Sequence, residues 1–294
     1  MGNDEALMDR VKLTKKLRLP REIVRHYEDG AEKGRLERGG GYLEFIRTQQ
    51  IVKRYLPKFR ADILDLGGGL GVYSKWLAEL GHRVHLVDAV SSHIEEARIA
   101  ARVGSKAFFI ADVGDARAIN WPRQSFDIVL MLGPLYHLTR RRDRIRALKE
   151  ARRVLRPKGF LIAAAISRYA SLVDGLKYHF LDDPEFQKIV ERDLREGQHR
   201  NPRNREGYFT TSFFHHPNEL AEEIAVSGFK LKGIYAVEGP AEIMKREELD
   251  KILQGEESRS RILHLTSMVE TEPTLLGISS HLLAVATPTK SAAN

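Results

Sequence analysis

The chain of 294 residues contains no cysteine. That single absence removes disulfides, thiolate metal sites and a cysteine nucleophile together. There is no uninterrupted apolar run long enough to span a bilayer and no secretory signal pattern at the N-terminus, so the expected compartment is the cytoplasm and no membrane partner is expected. Hydrophobic residues make up 42%, enough to bury one large core, with or without an inserted cap. Acidic charge is in short supply: 48 Lys and Arg face 40 Asp and Glu, a net charge of +8. The segment Thr139 to Lys158 has ten basic residues and two acidic ones, which accounts for the whole excess. A basic stripe of this kind suits nucleic-acid phosphates. However, Ile145, Leu148, Val154 and Leu155 recur at helical spacing, and a helix packed on a sheet with its arginines turned to solvent is the preferred reading.

What is present is a glycine turn. Asp65-Leu66-Gly67-Gly68-Gly69-Leu70-Gly71 ends an apolar run, Ile63 to Leu66, and opens an amphipathic one at Val72. A strand leading through glycines into a helix lets backbone approach a ligand closely, with free N–H groups directed at it. A dinucleotide fingerprint needs glycines at positions one, three and six. Counted from Gly67 the sixth position is Val72, and counted from Gly68 the third is Leu70, so that reading fails.

Four further apolar runs follow. Arg83 to Asp88 ends in an acid about 20 residues past the turn, the separation at which a carboxylate reaches a ribose diol. Ala107 to Ala111 leads into Asp112-Val113, Phe126 to Leu132 leads into Gly133-Pro134-Leu135-Tyr136-His137, and Phe160 to Ile166 follows the basic helix. Apolar strands alternating with helical segments predict a parallel sheet covered on both faces.

The pattern Asp-x-Gly-x-Gly-x-Gly, followed in order by Asp88 and Asp112, resembles motif I and its successors in the class I S-adenosylmethionine (SAM) methyltransferases. The resemblance covers about residues 60–166. It implies an α/β fold with a seven-stranded, mostly parallel, doubly wound Rossmann-like sheet, and it implies SAM as cofactor with S-adenosylhomocysteine (SAH) as product. It further implies a cofactor site made by Asp65, Gly67, Gly68, Gly69, Asp88, Ala89, Asp112, Val113 and Leu132, with Asp88 on the ribose and Asp112 on the adenine amino group. Methyl transfer from a sulfonium requires neither metal nor covalent residue, only alignment, exclusion of water and, where needed, removal of one proton. Lack of cysteine argues against radical-type and arsenic-handling members. The Gly133-Pro134-Leu135-Tyr136 loop lacks the acid or amide that opens the Asp/Asn-Pro-Pro-Tyr loop of base-amino methyltransferases, which weakens a nucleic-acid acceptor and leaves O or N nucleophiles of small molecules.

The expected organisation is a helical lid at 1–58, with residues 1–20 mixed, charged and frayed, then a cofactor-binding core at 59–166, a substrate cap at 167–216, and the rest of the sheet at 217–294 with a helical excursion at 241–269. Tyr27, Arg35 and Arg47 of the lid are candidates to meet the SAM carboxylate. His137 and Tyr136 after the fourth strand, and Tyr208, His215 and His216 from the cap, are the candidates near the reacting methyl, His137 having an unperturbed pKa suited to a general base. The His215-His216 pair ahead of Pro217 also reads as the N-terminal boundary of a helix.

Overall fold

The computed structural model describes residues 19–102, 109–203, 205 and 207–289. Most of the segment expected to fray, and Ala107 and Phe108 of the expected third strand, lie outside the described residues. In chain order the strands are β1 (Asp62–Leu66), β2 (Arg83–Asp88), β3 (Phe109–Val113), β4 (Phe126–Met131), β5 (Leu155–Ser167), β6 (Gln198–His199), β7 (Ser212–His215), β8 (Phe229–Ala236) and β9 (His281–Pro288). The helices are α1 (Arg21–Glu28), α2 (Gly39–Lys53), α3 (Val72–Glu79), α4 (Ser91–Ala100), α5 (Pro134–His137), α6 (Arg141–Val154), α7 (Ala170–Lys177), α8 (Pro184–Glu196), α9 (Pro217–Val226), α10 (Arg246–Gln254) and α11 (Glu256–Val269).

β3, β2, β1, β4 and β5 lie side by side and parallel; β9 pairs antiparallel with β5, and β8 pairs antiparallel with β9. These are the seven expected strands. The sheet has nine, because β6 and β7 form a ribbon and β7 pairs with the last two residues of β5, Ile166 opposite Phe214 and Ser167 opposite His215. The pairing of β4 with β5 ends at Met131 opposite Ala163, so the ribbon takes the edge of β5 that β4 leaves open.

Successive side chains of the central strands pack on opposite faces of the sheet. Leu64, Leu66, Val129, Met131, Leu161 and Ala163 pack on one face with Ala147, Leu148 and Ala151 of α6 and Leu220 and Ile224 of α9. Ile63, Ile128, Leu130 and Ile162 pack on the other with Ile51 and Val52 of α2, Leu77 of α3 and Ile94 of α4. Each Leu, Ile, Val or Met side chain among them contributes about 1.5–3 kcal/mol by leaving water. With both faces covered, the strands read as continuous apolar runs rather than alternating ones.

The glycines at 39–41 open α2: a Cβ on Gly41 would stand 2.0 Å from the Arg35 carbonyl oxygen, so the preceding turn can press on the helix only if that residue is glycine. One sequence expectation is corrected here: the arginines of α6 are not all turned to solvent. Arg144 is almost fully buried, donating to Glu223 of α9 at 2.6 and 2.9 Å and lying over the Phe213 ring at 3.6 Å. Arg146, Arg152 and Arg153 donate to backbone carbonyls of Arg117, Gly228 and Trp121, and Arg156 joins Asp127 to Asp62. A guanidinium fork satisfies loop carbonyls and carboxylates that would otherwise be left unpaired.

The excursion after β8 packs on α2, where Leu43 joins Ala241, Leu249, Leu253 and Leu263. Among the described residues no helix is long and apolar enough to cross a membrane.

Candidate cofactor and acceptor site

The glycine turn emerges from the carboxyl end of β1. Gly67 has φ 74°, and a Cβ there would meet Pro134 Cδ at 2.6 Å; a Cβ on Gly68 would meet Asp65 Oδ2 at 2.6 Å. No other residue type allows the turn to lie this close to both its own strand and the loop after β4. The Gly67 N–H donates to the Val87 carbonyl at 2.6 Å, fixing the turn to the end of β2.

A cavity of about 1030 Å³, its open mouth included, lies over the turn and is bounded by the ends of β1, β2 and β4 below and by the segment 19–44 above. At its floor the Asp65 carboxylate is fully buried, Oδ2 accepting from Ser74 Oγ at 2.7 Å while Oδ1 has no partner. Burial, reinforced by the nearby Asp88 charge and only partly offset by Ser74, raises its pKa to about 6. Asp88, at the end of β2, accepts from Gly69 N at 3.0 Å and Val90 N at 2.8 Å, so it also organises the turn. Ala89 and Leu132 line the same cavity.

Asp112 and Val113 do not. Both are exposed at the end of the edge strand β3, Asp112 pairing with Arg98 at 3.2 Å; Gly114, Asp115 and Ala116 line the cavity instead, with Asp115 held by Arg117 at 2.7 Å.

Above the floor, aromatic rings converge. Tyr136 and His137 come from α5, Tyr27 reaches down from α1, and the Tyr27 hydroxyl hydrogen-bonds His137 Nε2. His93 lies edge-on to Tyr27 with centroids 5.2 Å apart, and Phe209 lies 5.9 Å from His137. Burial lowers the His137 pKa to about 3, outweighing the Thr211 backbone carbonyl beside it, and burial raises that of Tyr27. At neutral pH the pair is therefore an uncharged imidazole and an intact phenol. The sequence gives no local signal for His93 beyond its place on the helix that follows Asp88, nor for Phe209 among its aromatic neighbours Tyr208, Phe213 and Phe214.

Arg35 lines the cavity and is ion-paired with Glu44 and, at 3.2 Å, with Glu32. Arg47 is fully buried elsewhere, paired with Glu270 and donating to the Val237 carbonyl at 3.3 Å. Tyr208 donates to Asp183 at 2.8 Å and packs on Phe186, outside the cavity. His215 is buried against Glu223 at 3.4 Å, and His216 caps α9 and stands beside Tyr169. Phe209 packs toward His137, whereas Tyr208 packs toward Phe180 and Phe186.

The geometry fits SAM: a glycine cradle, an acid with an unpartnered buried oxygen, a second acid one strand over, and a neutral aromatic end. Residues 64–163 match the methyltransferase domain family. The chain is 36% identical over 143 residues to a ubiquinone/menaquinone biosynthesis C-methyltransferase of Paracoccus denitrificans, covering 47% of this chain and 56% of that protein. It is 29% identical to a ubiquinone biosynthesis O-methyltransferase of Cereibacter sphaeroides, covering 43% and 52%. The chain thus spans about half the length of the curated relatives it matches. A solved SAM-dependent methyltransferase of Methanosarcina mazei superposes with TM-score 0.55 at 20% identity, over 82% of this chain and 98% of that one.

Proposed function

We propose that this chain, whose core is a class I Rossmann-like SAM-dependent methyltransferase domain, moves the methyl group of SAM to an O or N nucleophile of a small-molecule acceptor by in-line displacement. The observation that carries the reading is the cavity over the Gly67–Gly69 turn, closed by Tyr27 on His137 and holding the unpartnered Asp65 oxygen. SAM, when bound, supplies a methyl group already activated on a sulfonium. Asp65 offers its free oxygen to the ammonium of the methionine part, Asp88 accepts from the ribose hydroxyls, and Arg35 is the cation nearest to hand for the carboxylate. Gly114 to Ala116, rather than Asp112 and Val113, flank the adenine.

Toward the acceptor, Tyr27, Tyr136, His137 and Phe209 exclude water and orient the nucleophile. The low pKa of His137 supports a positioning role: a neutral ring places no second cation beside a sulfonium, and with Nε2 taken by Tyr27 it holds the lid segment in place. Tyr208 and His216 act outside this cavity, Tyr208 as a brace within the segment 167–216, which we read as a substrate cap. A nucleic-acid acceptor is disfavoured by the inward engagement of Arg144, Arg146, Arg152, Arg153 and Arg156.

Titration calorimetry with SAH, followed by transfer of labelled methyl from SAM to a panel of phenols, quinols and amines, tests the reading. Micromolar SAH binding with label incorporated into a phenol, quinol or amine is expected. Absence of SAH binding overturns the methyltransferase reading, and incorporation into RNA alone overturns the acceptor class.

A further inference from the structure

The face that α4 buries is made of His93, Ile94 and Ala97. Ile94 and Ala97 join the apolar core on that side of the sheet, whereas His93, the third residue of the helix, lines the cofactor cavity. His93 is only 5% exposed, and among the described residues neither of its ring nitrogens has a hydrogen-bond partner. An imidazole always carries at least one N–H, and a donor taken out of water without an acceptor is costly. No other buried histidine among the described residues is left with both nitrogens unpaired: His137 has Tyr27, and His215 has Glu223.

The surroundings show what the ring faces. Nδ1 stands 3.5 Å from Asp88 Oδ1 without forming a hydrogen bond, and a Cβ on Gly69 would lie 3.9 Å from the same nitrogen. His93 thus closes a corner with the glycine turn and the acid at the end of β2. Of the side chains between Val87 and His93 that line the cavity, only those of Asp88 and His93 are polar. On its other side the ring lies edge-on to Tyr27, whose hydroxyl is turned to His137.

We propose that His93 is the partner of Asp88 at the cofactor ribose, its ring nitrogens hydrogen-bonding the hydroxyls whose protons Asp88 accepts. The division of labour follows from what each group can offer. A carboxylate only accepts, and each Asp88 oxygen already holds one backbone amide, from Gly69 and from Val90. A ribose diol brings two donors but also oxygen lone pairs, which an acid leaves unserved and an imidazole N–H can serve. The bound hydroxyl in turn satisfies a donor that the protein alone leaves unpaired, which favours the complex. This rests on the methyltransferase reading above and gives the cavity a ring donor that the sequence pattern of glycines and acids does not contain.

Titration calorimetry on the full chain, comparing SAH with its 2′,3′-dideoxy analogue, tests the inference. The informative variant is His93→Phe, which keeps a ring against Tyr27 and removes both nitrogens. It is expected to bind SAH about tenfold more weakly and the dideoxy analogue within about twofold of the parent, since that ligand has no hydroxyl to lose. A ring that served only packing would lower both affinities by the same factor. That result overturns the proposal, as does a variant that binds SAH like the parent, or a parent that binds the two ligands equally. Histidine-ring ¹⁵N spectra of the saturated parent supply a readout that needs no variant. An imidazole signal moved by SAH and not by the analogue is expected, and identical spectra with the two ligands overturn the proposal. Failure of the parent to bind SAH at all overturns the methyltransferase reading instead, so the two outcomes are distinct.

Discussion

Asp65 is an acid kept out of water with one oxygen left over. Its pKa of about 6 is raised by burial, so an arriving ammonium meets a group that must be ionised to receive it. Because binding favours the charged form, the pKa falls in the complex, and SAH affinity is expected to decline as pH drops below about 6, by at most about tenfold per pH unit. Calorimetry at pH 5 and pH 7.5 reads this; flat affinity across that range would show that Asp65 does not face the ligand's charge. Asp88 works differently, since it holds the Gly69 and Val90 amides as well as facing the cavity. Asp88→Ala is expected to weaken SAH binding by about 1–3 kcal/mol, through lost charge-assisted hydrogen bonds and a loosened turn. Unchanged affinity would place the ribose elsewhere.

At the scale of elements, α6 and α9 are fastened by Arg144 and Glu223, both nearly fully buried. Burial alone would raise Glu223, but the hydrogen bonds from His215 and Arg144 hold it at about 2. Breaking a buried pair from one side leaves the other charge uncompensated, so Arg144→Ala is expected to cost about 3–5 kcal/mol in urea unfolding. The double variant Arg144→Met with Glu223→Leu should lose much less, and a single variant within 1 kcal/mol of the parent, on the order of an exposed pair, would contradict this account. None of this pairing was visible in the run of arginines, because periodicity reports which helix positions face a core but not which carboxylate or carbonyl waits there. The strands were more legible. β2 has the expected limits and β4 ends one residue before its own, whereas the two-residue β6 has no periodicity to read and exists only because β5 outruns β4.

Over the whole molecule, His281 at the start of β9 joins Glu238 after β8 and approaches Glu44 of α2, so it ties the first and last thirds of the chain together. Its folded pKa of about 9 lies above the ordinary 6.5. The stabilisation is therefore full below about pH 6.5 and is lost as pH rises through 9, amounting to roughly 1–3 kcal/mol. Melting temperature between pH 6.5 and 9.5 should fall more steeply in the parent than in His281→Gln; parallel curves would remove His281 as the cause.

The sequence by itself determined the strand–turn–helix cradle and the order of the parallel strands that follow it, because backbone conformation at glycine and the alternation of apolar runs with helical segments are local properties written in neighbouring residues. The tertiary structure alone decided which candidates share a cavity. It brought Tyr27 to His137 across 110 positions, drew in His93, set Phe209 against His137, left Arg47, Asp112, Tyr208 and His216 outside, and opened a second cavity beyond β5. Those placements depend on side-chain direction and on partners far apart in the chain, and pairing of buried charges is fixed only when the elements that bear them have packed.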